Sequence, residues 1–125
     1  MEQVYTLKSA VVPKKNSFRA GISKHGRLYQ YRRKNAVFSE DRLHEEAKWI
    51  ARENGYRLFP GKVSATVFVR KTGKADCIGK VETILDALQH VAYEDDAQVV
   101  DCHFAYGGCL PEGATVFVVL KSYEE

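Results

Sequence analysis

Residues Lys62 to Lys71, KVSATVFVRK, place Val63, Ala65, Val67 and Val69 on one side of the chain, with Ser64, Thr66, Phe68 and Arg70 between them. A period of two is the signature of a β-strand with one apolar face. Such a strand has to bury that face against a second layer. Two neighbouring stretches are patterned to supply that layer. Leu43, Ala47, Ile50 and Ala51 recur at helical spacing with Trp49 beside them, and Asn54-Gly55 closes the run. Ser39 is read as the N-cap of this helix, with Glu40 and Asp41 in its first turn, where the helix dipole favours negative charge. From about Ile78 to Val91, Val81, Ile84, Leu85 and Leu88 form a single stripe, a second helix.

The rest of the chain reads as further strands. Val4, Thr6 and Lys8 alternate with Tyr5, Leu7 and Ser9, and Ala10-Val11-Val12 extend an N-terminal strand to Pro13. Residues 14 to 37 carry Gly21 and Gly26 as turn markers, and LYQYR within them is a short strand or arm. Gln98 to Tyr106 and Thr115 to Tyr123 are β-rich and are joined by the turn-rich GGCLPEG. The order β, basic arm, α, β, α, β, β, without repeats or low-complexity tracts, predicts an α/β (α+β) fold: a two-layer sandwich of a small mixed sheet and two helices.

At 125 residues and 14.1 kDa, residues 1–125 are expected to form a single domain with a basic arm at about 13–37, large enough to bury a core without a metal or disulfide staple. No apolar run approaches the roughly 20 residues needed to span a bilayer, and MEQVYTLKSA lacks a basic-then-apolar signal pattern, so no membrane and a cytoplasmic location are expected. Cys77, Cys102 and Cys109 are odd in number and not in C-x-x-C spacing, which reads as reduced, buried thiols.

Charge is divided along the chain. Between Pro13 and Lys34 lie Lys14, Lys15, Arg19, Lys24, Arg27, Arg32, Arg33 and Lys34 with no Asp or Glu. From Asp76 onward the balance is acidic, with Lys80 and Lys121 as the cations. A basic segment interleaved with Phe18, Tyr29 and Tyr31 suits a polyanion, because Lys and Arg release phosphate counterions and aromatic rings stack on bases. A solvated basic loop is the plainer meaning of the same run.

The stretch YEDDAQVVD, Tyr93 to Asp101, sets Glu94, Asp95 and Asp96 before an apolar strand. If that strand pairs antiparallel with Val63–Val69, Asp76 and Asp96 can meet. Gathered carboxylates repel unless a proton or cation neutralises them. Mg²⁺, held by one or two carboxylates, waters and substrate phosphates, suits such a spot, and beside a basic arm it suggests phosphodiester hydrolysis. An ordinary solvated turn accounts for the same residues.

Asp86-Ala87-Leu88 followed by Asp95-Asp96-Ala97-Gln98-Val99-Val100-Asp101 resembles the C-terminal core of the RusA-type Holliday junction resolvases (crossover junction endodeoxyribonucleases). The pattern of that family is D-x-D-N-x-x-K, then D-A-L, then D-D-x-Q-V. Its P-x-x-K-N element, preceding a basic loop, is similar to Pro13-Lys14-Lys15-Asn16. The resemblance implies a small homodimeric, Mg²⁺-dependent endonuclease of phage or prophage type, with Mn²⁺ as a substitute, that cuts four-way DNA junctions in recombination and repair. The catalytic motif departs from the pattern. Aligned without a gap, Asp76 falls on the first Asp, Ile78 on the second, Gly79 on the Asn and Glu82 on the Lys. With a gap, Asp76 falls on the second Asp and Lys80 on the Lys, and Lys74 replaces the first Asp.

The resemblance makes Asp76, Lys80 and Asp96 the expected catalytic residues. Asp76, Asp95 and Asp96 are the expected metal ligands, with Glu82 a further candidate because it lies four residues before Asp86 on one helical face. Lys80 is expected at the scissile phosphate. Lys14, Lys15, Asn16, Arg19, Lys24, Arg27, Arg32 and Arg33 are expected on the DNA backbone, which positions a substrate without reading its sequence. Asp86 is read as a structural partner of a basic residue and Gln98 as satisfying a backbone group. His25, His44, His90 and His103 lack ligand-like spacing. Two other readings stand beside the nuclease: a domain of the same fold that binds branched or duplex DNA without cutting, and a protein-interaction surface for an acidic partner.

Overall fold

The computed structural model describes residues 1–12, 18–22, 28–32, 34–71, 77–107 and 110–123, with backbone alone for 18–22, 28–32, 34–38 and 77–78. Its elements are β1 (Glu2–Leu7), β2 (Phe18–Ile22), β3 (Leu28–Arg32), α1 (Lys34–Asn54), β4 (Val63–Val69), α2 (Cys77–Ala87), a 3₁₀ turn (Asp96–Gln98), β5 (Val99–Tyr106) and β6 (Val116–Ser122). The main sheet has the order β1-β6-β4-β5, and β2 pairs with β3 as a separate antiparallel hairpin. This is the expected small mixed sheet with two helices.

The alternation in β4 is realised in full: Val63, Ala65, Val67 and Val69 are buried. They meet Tyr5 and Leu7 of β1, Val116, Val118 and Leu120 of β6, Leu43, Ala47 and Ala51 of α1, and Val81, Ile84 and Ala87 of α2 in one core. Fully burying a Val or Leu side chain contributes roughly 1.5–3 kcal/mol, so this shared face is what holds the layers together. Trp49 lies off the apolar stripe of α1 and is 63% exposed.

Several boundaries differ from the sequence reading, each because a tertiary contact takes over the backbone. β1 stops at Leu7 rather than continuing to Val12. The amides of Lys8 and Ser9 donate to the Glu46 carboxylate at 2.8 and 2.7 Å, which withdraws them from any ladder. Beyond them Val12 N–H donates to Ser39 Oγ at 3.0 Å, Ser39 Oγ donates to Ala10 O at 2.7 Å, and Thr83 Oγ1 donates to Val12 O at 2.9 Å. Residues 8–12 thus form a strap pinned by side chains of both helices. Ser39 is spent on that strap and does not cap α1, which begins at Lys34, so Glu40 and Asp41 lie beyond the first turn. Residues 34–37, expected in the basic arm, are helical.

The end of α1 follows the expectation. Gly55 adopts φ +66°, Tyr56 N–H donates to Ala51 O at 2.9 Å and Gly55 N–H to Arg52 O at 3.3 Å, the paired closing bonds of a Schellman cap. α2 ends at Ala87, four residues short of Val91. Leu88, Val91, Ala92 and Tyr93 are nonetheless buried, because the chain turns back through His90 at φ +69° and keeps its apolar side inward. Among the described residues no helix is long and apolar enough to cross a membrane.

Candidate carboxylate site at the start of β5

β4 and β5 pair in parallel, with α2 as the crossover between them. The antiparallel pairing that would have brought Asp76 to Asp96 is therefore absent. Asp76 itself lies outside the described residues, but its chain neighbour Cys77 opens α2, while Asp96 lies against Asp86 near the helix's other end. Asp86 lies nine positions beyond Cys77 along the helix, a rise of about 13 Å. A crossover connection makes this unavoidable. The helix must run back along the sheet before the next parallel strand can start.

Asp96 meets Asp86 instead. The Asp86 carboxylate, as acceptor for a protonated Asp96, then partial desolvation, then Asp95 as a second acceptor, raise the Asp96 pKa above the ordinary aspartate range. Asp86, expected as a structural partner of a basic residue, thus also stands beside a carboxyl group. The clue available in the sequence was only the i, i+10 recurrence of Asp around a helix end, which has no meaning until the turn at 88–95 is known.

Asp95 and Asp96 have different duties. Asp95 caps the 3₁₀ turn, its Oδ1 accepting from Ala97 N–H at 2.9 Å. Gln98 completes a capping box: its Oε1 accepts from the amides of Glu94 and Asp95 at 3.1 and 3.2 Å. Its Nε2 donates to the carbonyls of Phe59 and Gly61, each at 2.9 Å. The expectation that Gln98 satisfies backbone groups is met, on four of them. Beneath the turn, Tyr93 is fully buried and its hydroxyl donates to Leu85 O. Burial, with Asp96 and Asp86 close by, pushes the phenol pKa upward and keeps it a neutral donor.

The other expected site residues are dispersed. Lys80 is 1% exposed, and its ammonium stands 5.1 Å from the centroid of the Tyr106 ring, at the far end of β5 from Asp96. β5 climbs about 23 Å between its first and last residues. Glu82 is exposed on α2, one turn before Asp86. Lys14, Lys15, Asn16, Lys24, Arg27 and Arg33 lie outside the described residues, while Arg19 and Arg32 fall on the β2–β3 hairpin, opposite Tyr31 and Phe18 respectively. His44 uses Nδ1 on Ala87 O at 2.8 Å, His90 meets Glu94 at 3.2 Å and His103 meets Asp101 at 3.4 Å, all local structural roles. Cys102 is half-buried and reduced; Cys109 and the Cys77 side chain lie outside what is described.

The donor set suits a hard cation. Asp86 and Asp96 offer carboxylate oxygens with Asp95 adjoining, and Mg²⁺ requires only one or two carboxylates because it retains waters. Among the described residues no group of three His, Cys, Asp or Glu side chains is arranged to hold an ion. The fit is therefore that of a carboxyl pair open to solvent.

The raised pKa fixes a pH dependence. Asp96 binds its proton more tightly folded than unfolded, so its stabilising contribution is complete below the unfolded value, about 3.9, and is lost as pH rises through the folded value. Asp96→Asn cannot ionise. Thermal midpoints across the acidic range should therefore show the variant gaining on the wild type as pH rises, and lying above it at neutral pH. A wild-type advantage at neutral pH would contradict carboxyl–carboxyl repulsion at this spot.

Taken together, fold and site define an α+β two-layer domain with a carboxyl pair at the start of one strand and a basic segment between its first strand and first helix. Neither protein-family models nor curated protein sequences contain a match to the chain.

Proposed function

We propose that the chain is a RusA-like, Mg²⁺-dependent endodeoxyribonuclease acting on branched DNA, with four-way junctions as the substrate class. The observation that carries this reading is the meeting of Asp86 and Asp96, with Asp95 beside them, at an exposed edge of a domain whose N-terminal segment is rich in Lys and Arg. Mg²⁺ bound there would supply a nucleophilic water and charge stabilisation for phosphodiester hydrolysis. The chain's own residues perform the rest. Asp86 and Asp96 would hold the cation. Asp95 and Gln98 fix the turn that presents Asp96. Lys14, Lys15, Asn16, Arg19, Lys24, Arg27, Arg32 and Arg33 neutralise DNA phosphates and bring the branch point to the carboxylates. A symmetric homodimer would offer one such site to each of two strands related by the junction's two-fold axis. A cytoplasmic setting belongs to the same reading.

A second reading has its own support. The end of α2 that carries Cys77 and the buried Lys80 is remote from Asp96, so the parallel crossover does not gather Lys80 and Asp96 on one spot. This favours a domain that binds branched or duplex DNA without cutting it.

One experiment separates the two. A labelled four-way junction is incubated with the wild type and with Asp96→Asn, with and without Mg²⁺ or Mn²⁺. Metal-dependent nicks by the wild type, reduced at least about a hundredfold in the variant, are expected if the site stabilises the transition state as such centres do. Retained junction binding with no nicks from either protein would sink the nuclease and leave the binder.

A further inference from the structure

We propose that two copies of this chain pair along β5, antiparallel about a two-fold axis at Cys102, so that their main sheets join edge to edge. The inference gives the homodimer of the proposed function its surface, and it rests on that reading only for the use to which a dimer is put.

The two edges of the main sheet differ. At the β1 edge a side chain occupies the backbone: Val4 N–H donates to the Tyr56 hydroxyl at 3.2 Å, and that hydroxyl donates to Val4 O at 3.5 Å. At the β5 edge Val100, His103, Phe104 and Ala105 are exposed, Val100 to 48% and Phe104 to 42%. The strand VVDCHFAY contains no Lys or Pro, residues that commonly discourage a further strand from joining an edge. Its pairing with β4 is regular from Asp101 to Tyr106, after a register shift that skips Val100. Gly107 N–H donates to Val69 O, so by strand alternation Phe104 turns its backbone away from β4. Cys102 packs its side chain against the core, and its thiol takes no part in the pairing.

Self-complementarity identifies the occupant as a second copy. Asp101 and His103 are already drawn together within one strand, with His103 Nε2 3.4 Å from Asp101 Oδ1. A two-fold axis at Asp101 would set that carboxylate against its own copy. An axis at His103 would set His103 against itself and Asp101 against Ala105. An axis at Cys102 sets Asp101 opposite His103 and Val100 opposite Phe104, each twice by symmetry. A carboxylate accepts from an imidazole N–H in either charge state of the ring. Complementary polar and apolar cross-strand pairs stabilise an antiparallel ladder, whereas like charges directly opposite destabilise it. Symmetry also separates the carboxyl pairs: Val99 and its copy stand about 20 Å apart along the ladder, from roughly six residues of rise, so one pair lies at each end.

The test is the association state of the full chain by sedimentation velocity over a range of micromolar concentrations. It compares the wild type, Phe104→Lys, His103→Asp and the double variant Asp101→Lys with His103→Asp, with far-UV circular dichroism confirming each fold. A concentration-dependent wild-type dimer is expected. Phe104→Lys and His103→Asp each occur twice in the dimer and should weaken it by at least about tenfold. The double variant restores opposite charges across the ladder and should recover most of what His103→Asp loses. A wild type that is monomeric throughout would overturn the pairing. A dimer that neither single variant weakens would overturn this surface and leave a homodimer formed elsewhere. Junction nicking is read separately on the same proteins. Nicking by a monomeric wild type would overturn the pairing and leave the nuclease, whereas a dimer with the expected variant pattern and no nicking would support the pairing and overturn the nuclease.

Discussion

Tyr93→Ala is expected to lower the unfolding free energy by about 3–5 kcal/mol, the range for deleting a large buried aromatic side chain. Tyr93 is fully buried at the close of the turn that follows α2, and it joins the core that β4 and both helices share. Its hydroxyl ties that turn to Leu85 O, one residue before Asp86. Removing the ring leaves a cavity under the segment that carries Asp95 and Asp96. Tyr93→Phe keeps the ring and removes only the hydroxyl, so a loss of about 1 kcal/mol is expected from the unpaired carbonyl. Urea unfolding at neutral pH measures both. The order matters more than either value: if Tyr93→Phe cost as much as Tyr93→Ala, the hydrogen bond and not packing would anchor the turn.

The second large effect belongs to Gln98. Gln98→Ala removes four hydrogen bonds at once, two accepted from Glu94 and Asp95 and two donated to Phe59 and Gly61. With typical net values of 0.5–1.5 kcal/mol each, and the site half exposed, a loss of about 2–3 kcal/mol is expected. Gln98→Glu retains the acceptor but turns a negative oxygen toward two carbonyls and adds charge beside Asp95 and Asp96, so it should be at least as damaging. Both variants keep Asp96 itself. On the nuclease reading they should also weaken metal-dependent cleavage, because the turn that presents Asp96 is released. A Gln98→Ala protein as stable as the wild type would show that the four contacts exchange for water at no net cost.

These variants also mark where sequence reading reaches its limit. Val63 to Val69 and the stripe Val81, Ile84 and Leu88 were legible because burial on one face imposes a period on the residues themselves. The end of α1 was legible because Gly55 supplies a positive φ at little strain. The start of α1 was misread because Ser39 has two possible uses, as a cap or as a partner for a distant strand, and only the position of residues 8–12 selects between them. β1 was overextended for a related reason: Ala10-Val11-Val12 have strand propensity, but the Glu46 carboxylate, 37 residues from Ser9, draws the backbone out of the sheet. The Phe18–Ile22 strand was not anticipated: Phe18, Ala20 and Ile22 alternate with Arg19 and Gly21, but the run is only five residues long and contains a glycine that also reads as a turn marker.

Sequence alone determined the number of layers, the apolar faces that join them and the separation of basic from acidic charge, since each is a local pattern of residue types. Tertiary structure decided which charges meet. That Asp96 lies beside Asp86 depends on the direction of β5 relative to β4, and that direction is set by the crossover through α2 and not by any residue in β5. The parallel pairing gives Asp96 the far end of α2 as its neighbour and leaves Lys80 with Tyr106 and Arg70 at the opposite end of the sheet.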